Sequence, residues 1–238
     1  MADINDIRIC GMMKTTLLDF PGRVACTLFL PGCNMRCPFC HNARVVHGTD
    51  ELISKDEIFS FLKKRIGILD GVCITGGEPT LYGEALTELI KEIKELGYLV
   101  KLDTNGTSPE LLSSLIEKKL IDYVAMDVKT VPDSDEVYSR VCGRRIDVSS
   151  ILDSISILKQ DSVDYEFRTT AVHPLHTADD LVRTASYLKG GRRYFLQSFV
   201  DSGELLCKNE DFSPLEKQEM QRAADSASVY LPTFVRGI

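Results

Sequence analysis

Short apolar segments alternate with longer segments of helical periodicity along this 238-residue chain. Six of the apolar segments are rich in Val, Ile, Phe and Tyr and are bounded by Gly, Pro, Asn or Asp, which is typical of buried β-strands. They are Val24–Leu30, Val72–Thr75, Tyr98–Asp103, Tyr123–Val128, Tyr165–Thr170 and Tyr194–Phe199. A helical segment follows each of them. This alternation predicts a parallel sheet with right-handed crossovers.

The helix boundaries carry capping signals. Thr177 with Asp180 has the spacing of a capping box, and Ser213-Pro214 with Glu216 predicts the start of a last helix. A closed barrel of eight βα units needs about 250 residues. Six units therefore predict an α/β fold with a partial, open (β/α)6 TIM-like barrel of parallel strands. A doubly wound open sheet is the alternative, and the pattern does not separate the two.

The chain shows no linker or low-complexity segment, so we expect one domain over residues 1–238. Its core covers about 17–200, and a helical extension covers about 201–238. The 28 basic residues against 35 acidic ones argue against binding to a nucleic-acid backbone. No apolar run reaches the ~20 residues of a membrane span. The acidic start is unlike a secretory signal, so we expect a cytoplasmic protein.

Three of the eight cysteines crowd into one short loop after the first strand. Cys33, Cys37 and Cys40 have the spacing C-x3-C-x2-C, which suits a metal centre. Ordinary 4Fe–4S clusters take four cysteines, so three would leave one iron open. A zinc site closed by His41 is the alternative, although the adjacent Cys40 and His41 cannot easily reach one tetrahedral ion. We assign no role to the scattered cysteines, which are Cys10, Cys26, Cys73, Cys142 and Cys207.

Polar and glycine residues follow the other predicted strands. Active sites of parallel β/α folds lie beyond the carboxyl ends of the strands. We therefore expect these segments to meet the cysteine loop at one rim. They are Thr75–Pro79, Asp103–Gly106, Met126–Lys129, Arg168–Thr170 and Gln197-Ser198.

The cysteine loop, with Phe39 before the last cysteine, resembles the motif of the radical S-adenosylmethionine (SAM) superfamily. The segment Lys14–Asn42 is similar to activases of glycyl radical enzymes, and most closely to activators of anaerobic ribonucleoside-triphosphate reductase. The similarity runs on through GGEPT, LDTNG, YVAMDVK and YEFRTT, from about Gly11 to Val200.

The resemblance implies one 4Fe–4S cluster on Cys33, Cys37 and Cys40, with SAM at the open iron. These cysteines would be both the metal ligands and the catalytic centre. Some activases carry extra ferredoxin-like clusters in an insert, and this chain has no room for such an insert between Asn42 and Val72. The resemblance assigns SAM binding to Phe39, Gly76, Gly77, Glu78, Asp103, Thr104, Asn105, Asp127, Lys129, Arg168 and Gln197.

Within that set, Gly76–Glu78 would meet the methionine amino group, although a plain turn is the alternative. Asp103, Thr104 and Asp127 resemble oxygen ligands of a monovalent cation beside the SAM carboxylate.

Lys129 and Arg168 would neutralise that carboxylate, and ordinary ion pairs are the alternative for both. Phe39 would pack on adenine or simply in the core. Gln197 stands where some activases carry a nucleoside-contacting His, so the sequence departs from the activase pattern there and Gln197 is the substitute.

The resemblance implies an oxidoreductase that makes a glycyl radical on a partner, for which anaerobic ribonucleotide reductase is the first choice. A flavodoxin or ferredoxin would supply the electron, and the polar segment Lys129–Val148 could dock the partner. We expect no nucleic-acid or membrane partner. The alternatives are an activase of a pyruvate formate-lyase-type enzyme, a small-molecule enzyme such as a deazapurine-forming synthase, and a non-catalytic zinc or iron–sulfur module.

Overall fold

The computed structural model describes residues 7–49, 51–201 and 203–237, and the chain forms two compact units. The first contains residues up to 34 together with 44–104 and 110–124. The second contains 35–43, 105–109 and 125 onward. The assignment of residues 1–238 to one domain stays a prediction.

The first unit has a sheet of four strands in chain order. Its elements are β1 (Gly11–Thr16), β2 (Ala25–Leu30), α1 (Ala43–His47), α2 (Lys55–Lys64), β3 (Gly71–Gly76), a 3-10 turn (Pro79–Tyr82), α3 (Glu84–Glu95), β4 (Leu99–Thr104) and α4 (Pro109–Glu117). Strands β2, β3 and β4 are parallel, and β1 is an antiparallel addition to β2 that the sequence did not indicate.

Burial of one helix face explains how this unit holds together. Leu86, Leu89, Ile90 and Ile93 recur at helical spacing in α3, and all four are fully buried. Each such side chain contributes roughly 1.5–3 kcal/mol when it leaves water. The pairing of β2 with β3 sets Leu30 beside Gly76, so the cysteine loop leaves its strand at the level where the glycines begin.

Strand β5 (Tyr123–Asp127) leads into the second unit. The other elements of this unit are α5 (Asp135–Cys142), α6 (Val148–Leu158), β6 (Asp164–His173), α7 (Ala178–Tyr187), β7 (Tyr194–Ser198), β8 (Ser213–Pro214), α8 (Lys217–Ala227) and β9 (Thr233–Arg236). Strands β6, β7 and β9 are parallel neighbours in that order. The capping box of Thr177 and Asp180 at α7 is confirmed.

Mostly parallel strands flanked by helices confirm the predicted α/β class, and the sheet is not closed. Two local predictions differ from the structure. The C-terminal extension is not purely helical, because it adds β9 beside β7. Ser213-Pro214 pairs with β6 instead of opening α8. The polar segment Lys129–Val148 contains α5. No helix among the described residues is long and apolar enough to cross a membrane.

Candidate functional site

The boundary between the two units falls inside the cysteine loop, so each unit holds part of the predicted site. Cys33 belongs to the first unit together with Gly76, Gly77, Glu78, Asp103 and Thr104. The second unit holds Cys37, Phe39, Cys40, Asn105, Asp127, Lys129, Arg168 and Gln197.

Gly76 and Gly77 pack against the backbone that leads into Cys33. The Gly77 amide donates to the Leu30 carbonyl at 2.9 Å, and the Glu78 amide donates to the Gly32 carbonyl at 2.8 Å. A Cβ at Gly77 would lie 1.8 Å from the Gly32 carbonyl oxygen. Gly76 has a φ of +126°, and a Cβ there would lie 2.3 Å from the Leu30 oxygen. Close approach of the protein's own backbone therefore requires both glycines.

The Glu78 carboxylate is buried and held by hydroxyl and amide donors. Its Oε1 accepts from the Thr80 amide at 3.1 Å, the Thr80 hydroxyl at 2.6 Å and the Thr104 hydroxyl at 2.8 Å. Glu78 thus caps the 3-10 turn. Glu78 therefore takes part in a local turn, and its role as acceptor for the SAM ammonium stays a prediction.

Asp103 forms an ion pair with the buried Lys101. Lys101 Nζ also lies 3.7 Å from Cys73 Sγ and 6.0 Å from the Tyr123 ring centroid. A buried charge needs a partner of opposite sign, and each residue supplies that partner to the other. Asp103 was predicted as a cation ligand, and a lysine ammonium already provides it with a positive charge.

In the second unit, backbone hydrogen bonds anchor the loop around Cys37 and Cys40. The Cys40 amide donates to the Cys37 carbonyl at 3.0 Å, which closes a tight turn. The Leu206 and Cys207 amides donate to the Cys40 and Pro38 carbonyls at 2.9 and 3.0 Å. A segment about 165 residues further along the chain therefore supports the cysteine turn.

The two thiols have different electrostatic environments. A hydrogen bond from Cys142 lowers the pKa of Cys37 to about 7, against the opposing effect of burial, and the Lys129 charge adds to the lowering. Burial raises the pKa of Cys40. Burial and the Lys129 charge lower the pKa of His41. Thiolates are the form that binds metals, so Cys37 is suited to ligation near neutral pH.

Asp127, Lys129 and Arg168 form an ion triad. Asp127 Oδ2 lies 3.0 Å from Lys129 Nζ, and its Oδ1 accepts from Arg168 Nε at 2.9 Å. Burial would raise the pKa of Asp127, but the charges of Arg168 and Lys129 outweigh it and hold this pKa well below its usual range. Burial likewise lowers the pKa of Lys129, and the charges of Asp127 and Cys37 raise it above its usual range.

Asp127 therefore forms ion pairs with both Lys129 and Arg168. The charges of Lys129 and Asp127 also act on the pKa values of Cys37 and Cys40. The predicted contact of Lys129 and Arg168 with a SAM carboxylate stays a prediction.

The remaining predicted residues have protein partners. Phe39 is buried, with its ring edge-on to His176 and Phe212 at centroid distances of 6.1 and 6.4 Å. Asn105 Oδ1 accepts from the Thr107 amide and hydroxyl at 3.1 and 2.7 Å.

The last of these, Gln197, lies on β7 between Thr170 of β6 and Arg236 of β9 in the strand register. Core packing and turn formation account for Phe39 and Asn105, and neither role excludes a contact with SAM.

The donor set fits an iron–sulfur cluster in its chemistry. Three thiols on one loop, one of them with a lowered pKa, match the thiolate ligation that such clusters need. Among residues 7–49, 51–201 and 203–237, no three His, Cys, Asp or Glu side chains are gathered as a ready-made metal site. Ligation by Cys33, Cys37 and Cys40 therefore stays a prediction.

Sequence reasoning missed three buried residues beside these groups. Lys101 carried a weak signal, since a lysine inside an apolar strand pattern needs a buried partner. Cys142 was assigned no role and His176 was interpreted as part of an ordinary loop, because both reach their neighbours through tertiary contacts. The His176 Nε2 lies 2.7 Å from the Lys129 carbonyl oxygen, and burial lowers the pKa of this histidine.

Comparisons with known proteins bear on what this arrangement is for. The model of the Radical SAM superfamily matches residues 27–188. A candidate glycyl-radical enzyme activating enzyme of Methanocaldococcus jannaschii is 34% identical over 232 residues, covering 95% of this chain and 94% of that protein.

Two further relatives match over shorter spans. The pyruvate formate-lyase-activating enzyme of Clostridium pasteurianum is 31% identical over 58% of each chain. A 7-carboxy-7-deazaguanine synthase of Methanospirillum hungatei is 31% identical over 67% of each chain.

Solved structures share the fold at low sequence identity. A domain of a pyruvate-formate lyase-activating enzyme from Bacteroides vulgatus superposes with a TM-score of 0.56 at 17% identity, over 70% of this chain and 99% of that one. Streptococcus suis SuiB bound to S-adenosylmethionine gives a TM-score of 0.65 at 14% identity, over 89% and 52% of the two chains.

Proposed function

This chain belongs to the radical SAM superfamily, and from that premise we propose that it activates a glycyl radical enzyme. The observation that carries the proposal is the nearly full-length similarity to the candidate activating enzyme of M. jannaschii. The partial similarity to a pyruvate formate-lyase-activating enzyme supports the same reaction class.

The proposed reaction depends on two cofactors, a 4Fe–4S cluster and SAM. When bound, a reduced 4Fe–4S cluster would supply the one electron for cleavage of SAM to methionine and a 5′-deoxyadenosyl radical, the species that would abstract a hydrogen atom from a partner's glycine. The protein's own part is binding, orientation and exclusion of water. In this proposal Cys33, Cys37 and Cys40 hold the cluster.

The residues around the cysteines would orient SAM by charge and hydrogen bonding. The Lys129 and Arg168 side chains, which Asp127 holds side by side, would attract the SAM carboxylate, because Arg and Lys favour such groups. The buried Glu78 carboxylate would accept from the SAM ammonium. Phe39, Asn105 and Gln197 would bound the nucleoside, and Thr104 would keep Glu78 in position.

We also propose that a monovalent cation binds near Asp103 and Asp127. Both carboxylates already have positive partners, Lys101 for Asp103 and the triad cations for Asp127. An added cation would have to share them. A SAM affinity that depends on K⁺, compared with tetramethylammonium at equal ionic strength, would support this site.

For the partner we propose anaerobic ribonucleotide reductase, on the resemblance of the segment Lys14–Asn42. We propose the segment Lys129–Val148 as its docking surface. That segment includes α5, and a surface depression of about 470 Å³ lies along it, lined by Asp135, Glu136, Ser139, Arg140, Gly143, Arg144 and Arg145. Its mixed charge suits a transient protein contact.

The electron donor in this proposal is a low-potential carrier such as flavodoxin or ferredoxin. The eight cysteines are all within the described residues and form no disulfide. Reduced thiols are typical of the cytoplasm, which supports our proposal that the protein acts there.

The first experiment tests the cluster. The purified protein is reconstituted anaerobically with iron and sulfide, reduced, and assayed for iron and for 5′-deoxyadenosine. About four irons per chain are expected from the cluster formula. Ala at Cys33, Cys37 or Cys40 should abolish 5′-deoxyadenosine release, whereas Cys10→Ala, at a cysteine of the first unit outside the loop, should leave it unchanged. Full activity in any loop variant would refute the ligand assignment.

The second experiment identifies the target. The reduced protein and SAM are mixed with an anaerobic ribonucleotide reductase and, separately, with a pyruvate formate-lyase-type enzyme. A glycyl radical doublet in the electron paramagnetic resonance spectrum is expected with the reductase. A doublet that appears only with the second enzyme would identify the pyruvate formate-lyase-type enzyme, and not the reductase, as the partner.

The similarity to a deazaguanine synthase favours a small-molecule reaction as the second candidate function. Formation of a deazaguanine product from a small-molecule substrate, without any glycyl radical, would establish that alternative.

A further inference from the structure

Two buried side chains hold the backbone of Lys129. Strand β5 ends at Asp127, so Lys129 lies two residues beyond the strand. Its amide donates to the Tyr138 hydroxyl at 2.9 Å, and its carbonyl oxygen lies 2.7 Å from His176 Nε2. Backbone groups that leave a sheet need other hydrogen-bond partners. Here α5 supplies one of them, and the loop between β6 and α7 supplies the other.

Both of these side chains are in the core, with Tyr138 fully buried and His176 only 1% exposed. A carbonyl oxygen can only accept, so His176 Nε2 carries the proton and donates to Lys129. A neutral imidazole then has an acceptor at Nδ1, and the Val172 amide donates to it at 3.2 Å. The hydrogen-bond network therefore fixes the tautomer and the orientation of the ring.

The residue before Lys129 is held in the same way. The Val128 amide donates to the Arg168 carbonyl at 2.8 Å, and the Val128 carbonyl accepts from the Thr169 hydroxyl at 2.6 Å. Four backbone groups in two consecutive residues therefore have defined partners. The Lys129 side chain starts from this fixed backbone and reaches Asp127 at 3.0 Å.

We propose that Tyr138 and His176 are positioning residues that hold the Lys129 backbone and thereby place its ammonium for the SAM carboxylate. The inference rests on the proposed function, which assigns Lys129 to that carboxylate. A lysine side chain has a flexible four-carbon stem. A fixed backbone limits the positions that the ammonium can reach, so less freedom is lost when the ligand binds.

The alternative is that both side chains only fill the core, and matched variants separate the two roles. Tyr138→Phe removes the hydroxyl that accepts from the Lys129 amide. Tyr165→Phe is the control, because Tyr165 is also buried in the second unit and its hydroxyl accepts from the Arg192 amide at 3.2 Å. His176→Gln keeps a donor near the position of Nε2, whereas His176→Met removes it.

The measurement is equilibrium dialysis under anaerobic conditions, without reductant, on the reconstituted protein. The ligands are SAM and decarboxylated SAM, which lacks the carboxylate. Iron content and thermal unfolding are recorded for every variant. We expect Tyr138→Phe and His176→Met to weaken SAM binding roughly fivefold to tenfold, the equivalent of about one hydrogen bond. Binding of decarboxylated SAM should not change. Tyr165→Phe and His176→Gln should bind both ligands like the wild type.

A Tyr138→Phe variant that binds SAM as tightly as the wild type would overturn the inference, and so would an equal loss of affinity for both ligands. If Tyr138→Phe does not fold, the histidine pair decides, and equal SAM affinities of His176→Gln and His176→Met would overturn it. These results leave the proposed function standing. A reconstituted wild type that binds no SAM would refute the proposed function instead, so the two failures are distinguishable.

Discussion

Asp127→Asn tests whether the triad is held together by its central carboxylate. Asp127 Oδ2 lies 3.0 Å from Lys129 Nζ, and Asp127 Oδ1 accepts from Arg168 Nε at 2.9 Å. The substitution keeps the size of the side chain and removes its charge. Lys129 and Arg168 then lose the carboxylate that both of them contact.

The expected cost follows from the burial of the three side chains. Breaking a fully buried ion pair by removing one partner costs about 3–5 kcal/mol. The side chains of Asp127, Lys129 and Arg168 are between 14 and 29% exposed, so solvent screens part of the energy of these ion pairs. We expect Asp127→Asn to lower the free energy of unfolding by about 2–4 kcal/mol at neutral pH.

The pH dependence has a definite sign. The pKa of Asp127 is lower in the folded state than in the unfolded chain. Its stabilising contribution is therefore complete above about pH 4, the unfolded value, and is lost as the pH falls towards the folded pKa. The stability difference between wild type and Asp127→Asn should be constant from pH 7 to 5 and shrink below pH 4.

Urea unfolding followed by circular dichroism measures this difference. Asp164→Asn is a matched control in the same unit, because Asp164 also accepts from two arginines, Arg192 and Arg193, but is 42% exposed. An exposed pair contributes at most about 1 kcal/mol. Equal losses in the two variants, or an Asp127→Asn loss that grows in acid, would refute the electrostatic reasoning.

Three further outcomes are expected. Gly77→Ala should lose most of its reconstituted iron, because the new Cβ would displace the start of the cysteine loop. Gly83→Ala strains the backbone at a φ of +53° but brings its Cβ within 4 Å of no atom, so it should keep its iron and serves as the control for strain without a steric clash. Lys101→Met should lower the free energy of unfolding in urea by about 3–5 kcal/mol, and adding Asp103→Leu should restore part of it; no recovery would contradict the pairing. His176 has a lowered pKa in the folded state, so stability should fall as the pH drops below about 6.5; His176→Gln should weaken that slope in thermal melts between pH 7 and 5.

The periodic pattern of the chain was sufficient to predict the βα alternation. All six predicted strands exist, because apolar side chains buried on both faces of a parallel strand leave a local signature. The activase branch could also be recognised from local motifs. The spacing of residues within one loop can be read directly from the sequence, because it does not depend on contacts with the rest of the chain.

Short edge elements escaped prediction for the same reason. Strands β1 and β9 lie on an end of a hydrogen-bonded ladder, and each is defined by its neighbour rather than by its own residues. Gly11–Thr16 has exposed positions, so it lacks the continuous apolar run of a central strand.

The partners of the functional groups were decided by tertiary structure. The resemblance pointed to Cys37 as a cluster ligand, to Glu78 as a SAM contact, and to Asp103 and Asp127 as cation ligands. Packing supplied each of them with protein partners as well, from distant segments in the case of Cys37 and Asp127. Which thiol lies beside Cys37, and which ammonium lies beside Asp103, depends on the register between helices and strands. Hydrogen bonds and ion pairs act over a few ångströms in space, and sequence separation carries no information about that distance.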